Sequence, residues 1–220
     1  MTISLAFLVT EVARGKSIAR ILTNGALSAW ADEIRGVVLD LACGPISSYR
    51  RVLGLENRGR VIGVDLNPSV RPTVVADLTQ SIPLGAESCD VVILSSYLYI
   101  PAEPQQALSE IWRVLRKGGH LILSAPLVFP YAPEPTDHWR FTEQALRWVL
   151  SRSGFVIEQV IPVGGRWTAA AYLIEPFLRP TWLTACIVYW LALKLDFWTQ
   201  RWSARLAVCP IGYVVKARKS

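Results

Sequence analysis

Apolar residues recur along this chain in two rhythms, which separate strands from helices. Short continuous apolar runs lie at Gly36–Leu41, Arg60–Asp65, Thr73–Asp77, Asp90–Ser95 and His120–Ser124. Runs of this kind fit parallel strands buried on both faces. A sixth strand begins at Gly154–Ile157. A last one spans Ile211–Ala217, where apolar and polar residues alternate. Helical spacing fills the gaps. Thr10–Asp32 reads as a helix broken near Asn24-Gly25, and Ser48–Leu55 as a shorter one. Glu103–Lys117 carries an apolar stripe of Leu108, Ile111, Trp112 and Leu115. Pro104 suits its first turn, Arg113, Arg116 and Lys117 its last, and Gly118-Gly119 its stop. Thr142–Ser153 opens on a threonine cap. Ala125–Pro135, with four prolines, reads as a loop.

Strands that alternate with helices predict an α/β fold: a Rossmann-like, seven-stranded, mostly parallel sheet with helices on both faces. Thr168–Leu206 is a helical insertion before the last strand. The expected organisation is a core over 1–165 with an N-terminal helix, an apolar Trp-rich insertion over 166–206, and the last core strand over 207–220.

Composition adds one surprise. Hydrophobic residues make up 52% and charged residues 18%, which excludes a disordered chain. The formal charge of +6 suggests a nucleic-acid binder until it is located. Met1–Gly165 holds 15 basic and 15 acidic residues, whereas Arg166–Ser220 holds 8 basic and 2 acidic. The whole excess sits in the segment that also carries Trp167, Trp182, Trp190, Trp198 and Trp202. No nucleic-acid partner is expected, because the region with the strand ends is charge-balanced.

Cys43, Cys89, Cys186 and Cys209 show no metal-ligand spacing and read as free thiols of a reducing compartment. The apolar Ile3–Val9 has no preceding basic residue and reads as a packing helix, so the expected localisation is cytoplasmic. Thr181–Leu193 is uncharged. As a helix it reaches about 20 Å, short of a bilayer's roughly 30 Å hydrocarbon core. An in-plane helix pair over Trp167–Leu178 and Thr181–Trp202 fits better. Lys194, Arg201 and Arg205 would then face anionic lipid on the inner membrane face. A buried lid or a homodimer contact would explain the same apolar residues.

Candidate chemistry gathers at the strand ends, where open α/β sheets bind ligands. Three successive strands end in Asp40, Asp65 and Asp77. A carboxylate ending the second strand can accept both hydroxyls of a ribose. Gly44 lets the backbone approach a ligand closely. Asp77 is placed for an exocyclic adenine amine and Leu66 for the adenine face. After the fourth and fifth strands lie Ser95, Ser96, Tyr97 and Tyr99, then Tyr131, Asp137, His138 and Arg140. His138 suits a general base near neutral pH, with Asp137 and Tyr131 as companions. The plainer alternative pairs Asp137 with Arg140 and leaves His138 on the surface. His120, inside an apolar strand, reads as structural, and so does Asp90, which opens a strand rather than ending one.

Val38-Leu39-Asp40-Leu41-Ala42-Cys43-Gly44-Pro45, Val61-Ile62-Gly63-Val64-Asp65 and Ala76-Asp77-Leu78 followed by Cys89-Asp90-Val91-Val92 resemble successive motifs of class I S-adenosylmethionine-dependent methyltransferases. Leu115–Leu121 is similar to the helix-turn-strand that follows them. Asp137–Thr142 looks like a segment of the type 11 methyltransferase domains often tied to glycan or lipid-carrier metabolism. The resemblance covers 36–162 plus the final strand. It implies S-adenosyl-L-methionine as cofactor, held by Asp40, Ala42, Gly44, Asp65, Leu66, Asp77, Leu78 and Ser95. It also implies methyl transfer to a small-molecule or lipid-linked acceptor. The chain departs from the family pattern where Ala42 replaces the first glycine and where Ile46-Ser47-Ser48 lacks a later one. A left-handed backbone at Ala42 would cost about 1 kcal/mol or more. A non-catalytic cofactor-binding protein with a docking tail is therefore the alternative. A dinucleotide-dependent oxidoreductase fits worse, since Ala42–Ser47 fails G-x-G-x-x-G at two of three positions.

Overall fold

The computed structural model describes residues 4–45, 48–57, 59–178, 181–202 and 209–220. Among them, β1 (Val38–Leu41), β2 (Val61–Asp65), β3 (Val74–Val75), β4 (Cys89–Ser95), β5 (Leu115–Pro126), β6 (Phe155–Val163) and β7 (Gly212–Lys219) form one sheet in the order β3-β2-β1-β4-β5-β7-β6. Strands β1 to β5 pair in parallel, and β7 runs antiparallel to both its neighbours. The order reverses between β1 and β4, which makes a topological switch point.

Alternate residues of each strand feed two cores. Leu39, Leu41, Val92, Leu94 and Leu121 pack under α4 (Pro104–Val114) and α5 (Glu143–Arg152). Val38, Val91, Ile93, Ile122 and Val214 pack under α1 (Leu5–Ala13), α2 (Ile18–Leu27) and the insertion. That insertion consists of α6 (Arg166–Leu173), α7 (Glu175–Leu178) and α8 (Trp182–Trp202). The expected strands thus stand, except that the third shrinks to two residues at the sheet edge and is not buried, with Val75 55% exposed.

Two helix boundaries differ from expectation. The N-terminal break falls at Gly15 (φ +75°), and Ser17 then caps α2 by accepting from the Arg20 N–H at 3.2 Å. Asn24 stays inside α2, where its buried amide donates to Ser48 Oγ at 2.8 Å. A short 3₁₀ segment, Ser28–Glu33, follows. Helix α4 stops at Val114 because Leu115 turns extended to pair with Cys89. Gly118-Gly119 therefore lies within β5. A Cβ on Gly119 would meet the Asp90 carbonyl at 2.8 Å, so that glycine serves close strand approach rather than a helix stop.

Helix α8 buries one stripe, Ala185, Cys186, Tyr189, Ala192 and Asp196. Its small residues let it pack on α1 and α6. The opposite side stays apolar: Trp182, Leu183, Ile187, Leu191, Phe197 and Trp198 are exposed, and Trp202 is 85% exposed. No described helix is long and apolar enough to cross a membrane.

Candidate active site

Strand register sets the site. Leu41 is level with Val64 and Leu94, and Ser95 is level with Ser124, so the carboxyl ends of four strands form one rim. Just past β1 the chain bends sharply: Ala42 has φ +51° and Gly44 φ +60°. Cys43 N–H donates to the Val64 carbonyl at 3.2 Å, which draws the loop onto β2. Gly44 N–H then donates to Asp65 Oδ2 at 2.9 Å, while Asp65 Oδ1 accepts from Asn67 N–H at 2.9 Å. Each oxygen keeps a lone pair for a ligand hydroxyl. The space around Gly44 is open, and the neighbouring Leu66 is 59% exposed. Asp77 sits further along the rim. Its Oδ1 accepts from the Thr79 N–H (2.9 Å) and hydroxyl (2.7 Å). These residues fit the adenosine end of S-adenosylmethionine: an acidic acceptor, an uncrowded glycine and an exposed apolar side chain in one row.

Other expected contacts fall elsewhere. Asp40 is fully buried beneath the loop. It accepts from Tyr49 Oη at 2.7 Å and pairs with Arg50 Nε at 3.0 Å, both on α3 (Ser48–Val52). Burial pushes its carboxyl up to about 6 despite those two partners. It holds the loop from below and presents no face to the rim. Leu78 is buried with Ile82 and Leu94, so its side chain serves the core. Residues Ile46 and Ser47 lie outside the described residues.

Ala42 realises the strain its identity raised as a concern, because an L side chain in the left-handed region costs about 1–2 kcal/mol. Ala42→Gly is expected to gain about 1 kcal/mol after the glycine's extra chain entropy. That is a melting-point rise of about 2–4 °C for a chain of this size. Thermal denaturation checks it, and an unchanged or lower midpoint would show that Ala42 is not strained.

The expected catalytic trio is not assembled. Asp137 is locked to Arg140, with one contact at 2.7 Å, and accepts from the Ala132 N–H at 2.9 Å. Arg140 beside it holds its carboxyl well below the usual range, at about 2, so it is no proton acceptor near neutral pH. Arg140 also reaches the Phe129 and Pro130 carbonyls and stacks on Tyr99 and Phe129. The pair staples the Pro-rich loop. The His138 imidazole is exposed while its N–H donates to the Tyr99 carbonyl. Tyr131 is 78% exposed. Burial, then the charge of Asp77, pushes the Tyr97 phenol up to about 12.

A cavity of about 70 Å³ opens instead beyond β4 and β5. Ser96 (φ +55°) and Ser124 lie in its wall. The buried Ser124 Oγ lies 3.2 Å from Ser95 Oγ and accepts from the Ser96 N–H at 3.1 Å. Arg20, Phe129, Tyr172 and Tyr213 complete the wall. Of these, sequence reasoning named only Ser96. Ser124 was reachable by the strand-end rule, since it ends the fifth apolar run. Arg20 and Tyr172 arrive from α2 and α6 through tertiary packing that no local pattern signals.

Residues 39–123 match the family described as methyltransferase domain. A ubiquinone/menaquinone biosynthesis C-methyltransferase of Syntrophotalea carbinolica is 32% identical over 101 residues, 40% of this chain and 43% of that protein. An uncharacterized 37.1 kDa protein in transposon TN4556 of Streptomyces fradiae is 29% identical over 204 residues, 78% of this chain and 58% of its own length. The chain thus spans about half the length of these relatives. Among solved structures, an S-adenosylmethionine-dependent methyltransferase from Mesorhizobium loti superposes with TM-score 0.59 at 19% identity, covering 89% of this chain and 96% of that one. The 1,6-didemethyltoxoflavin-N1-methyltransferase of Burkholderia thailandensis, solved with S-adenosylhomocysteine, gives TM-score 0.59 at 17% identity over 98% and 87%. The cyclase SpnF shares the fold too, at TM-score 0.56, 20% identity and 88% and 80% coverage, so the fold alone does not fix the chemistry.

Proposed function

We propose that this chain, a class I S-adenosylmethionine-dependent methyltransferase in fold and in the domain at residues 39–123, methylates a small or lipid-linked acceptor at a membrane surface. The observation that carries the reading is the rim at the switch point, where Asp65 holds the Gly44 loop and still has lone pairs to offer. S-adenosylmethionine supplies an electrophilic methyl group. The chain's part is to hold and orient: Asp65 for the ribose, Asp77 and Leu66 for the base, and the cavity beside Ser96 and Ser124 for the acceptor. Proximity and alignment supply several kcal/mol, up to about 7–11 in ideal intramolecular cases. Calorimetry with S-adenosylhomocysteine tests the first half, and absence of saturable binding overturns it. The strained Ala42 favours a second reading, a binder without turnover. Transfer of labelled methyl from the cofactor into fractionated cell extract excludes that reading.

The membrane half rests on α8. Its exposed tryptophans sit beside Lys194, 5.6 Å from the Trp190 ring, and Arg201, 5.7 Å from the Phe197 ring. Aromatic rings next to cations suit an anionic lipid interface. A second cavity of about 210 Å³ between α1 and α8 is lined by Val12, Ala185, Trp182 and Tyr189 together with Lys16 and Glu175. The protein is expected to float with phosphatidylglycerol-rich vesicles at low salt. Lys194→Gln with Arg201→Gln should weaken binding about thirtyfold, at roughly 1 kcal/mol per basic residue. Failure to float, with a stable dimer in sedimentation, would give the face to a second copy.

A further inference from the structure

The cavity beyond β4 and β5 carries a positive charge at its edge. Arg20 lines it from the first turn of α2. Among the described residues, no carboxylate pairs with that guanidinium. The other nearby cation, Arg140, is consumed by Asp137. The opposing groups are donors without charge. Burial, then the charge of the nearby Glu175, pushes the Tyr172 phenol up to about 12, so it stays protonated, and Arg20 only partly offsets that. Ser96 and Ser124 add hydroxyls, and the rings of Phe129 and Tyr213 add flat apolar walls.

The cavity also adjoins the cofactor rim, because Ser95, level with Ser124, follows Leu94, which is level with Leu41 beside the Ala42–Gly44 loop. A guanidinium offers a planar fork that matches a carboxylate or phosphate bidentately. A protonated phenol and a serine hydroxyl can donate to the same oxyanion. We infer that the methyl acceptor is an acidic molecule, a carboxylate or phosphate carried next to a planar apolar group, and that Arg20 selects it. The inference rests on the reading of the adjoining rim as the cofactor site and narrows its substrate class.

The test titrates S-adenosylhomocysteine-saturated protein with benzoate, phenyl phosphate and the neutral benzamide, read by calorimetry and amide chemical shifts. At least one acid should bind about tenfold or more tighter than benzamide. Which acid wins identifies the anion. Arg20→Met should erase the preference, and Arg20→Lys should keep part of it. The Arg20 side chain is exposed, so both variants should fold, which circular dichroism checks. Equal binding of acid and amide, no saturable binding of either acid, or a preference that survives Arg20→Met overturns the inference. Binding of S-adenosylhomocysteine is measured in the same experiment. Its absence fails the functional reading, whereas its presence without acid preference fails only the claim for Arg20.

Discussion

Asp65→Ala is expected to weaken S-adenosylhomocysteine binding about 100-fold, or roughly 2.7 kcal/mol. Two losses add. The first is a charged acceptor for ribose hydroxyls, where one hydrogen bond to a charged group is worth about 1.5–3 kcal/mol. The second is the anchor of the Gly44 N–H, which fixes the loop the cofactor must lie against. Asp65→Asn separates them. An amide keeps one acceptor, for Gly44 or for Asn67, and loses the charge, so about a tenfold loss is expected. Calorimetry with each variant reads both numbers. The fold should survive, because the carboxylate sits at the rim and supports no core residue. Wild-type affinity in Asp65→Ala would place the ribose elsewhere.

The place of Asp65 at the rim was legible in the sequence because its cause is local. A short apolar run that ends in an acid puts that acid at a strand's carboxyl end, and register then aligns it with its neighbours. The same logic gives only half the account of Asp40. The sequence shows where it lies along β1 but not which way the side chain points. In β1, Asp40 shares the face of Val38, under the second core, where Tyr49 and Arg50 close over it. Leu78 is similar: one residue past Asp77, its side chain packs in the core with Ile82.

The loop residues follow another logic. Asp137 and Arg140 are three residues apart, close enough to satisfy each other, and they pair. The place of Arg20 in the cavity wall was invisible because it depends on α2 docking beside the end of β5. Ala42 ran the other way: the replaced glycine named the position of strain, and the φ of +51° realises it.

Asp196→Ala is expected to cost about 2–4 kcal/mol of stability, a melting-point drop of about 10 °C at this chain length. Asp196 is one of only two acids in the basic last quarter, so charge counting makes it an exception rather than a part. The structure gives it three bonds. Its buried carboxylate accepts from Trp167 N–H at 2.8 Å, Thr168 N–H at 3.0 Å and Thr168 Oγ1 at 2.7 Å. Those are N-terminal donors of α6, whose own cap residue is Gly165 and has no side chain to offer. Helix α8 therefore caps α6 from outside, with a negative charge at the positive end of the dipole. Gly165 is required for the approach, since a Cβ there would lie 2.7 Å from Asp196 Cγ. Alanine at 196 strands the buried Thr168 N–H and the half-buried Trp167 N–H, while the Thr168 hydroxyl keeps the Gly165 carbonyl at 3.1 Å; asparagine keeps an acceptor and should cost about 1–2 kcal/mol. Hydrogen exchange at Trp167 and Thr168 localises the effect, and a wild-type melting point in Asp196→Ala would refute the cap. Tyr172, which walls the acceptor cavity, lies one turn along the same α6 from Thr168. The carboxylate that fastens the tail thus also sets the position of that wall, so an opened cap should reduce acceptor binding while cofactor binding at Asp65 stays intact.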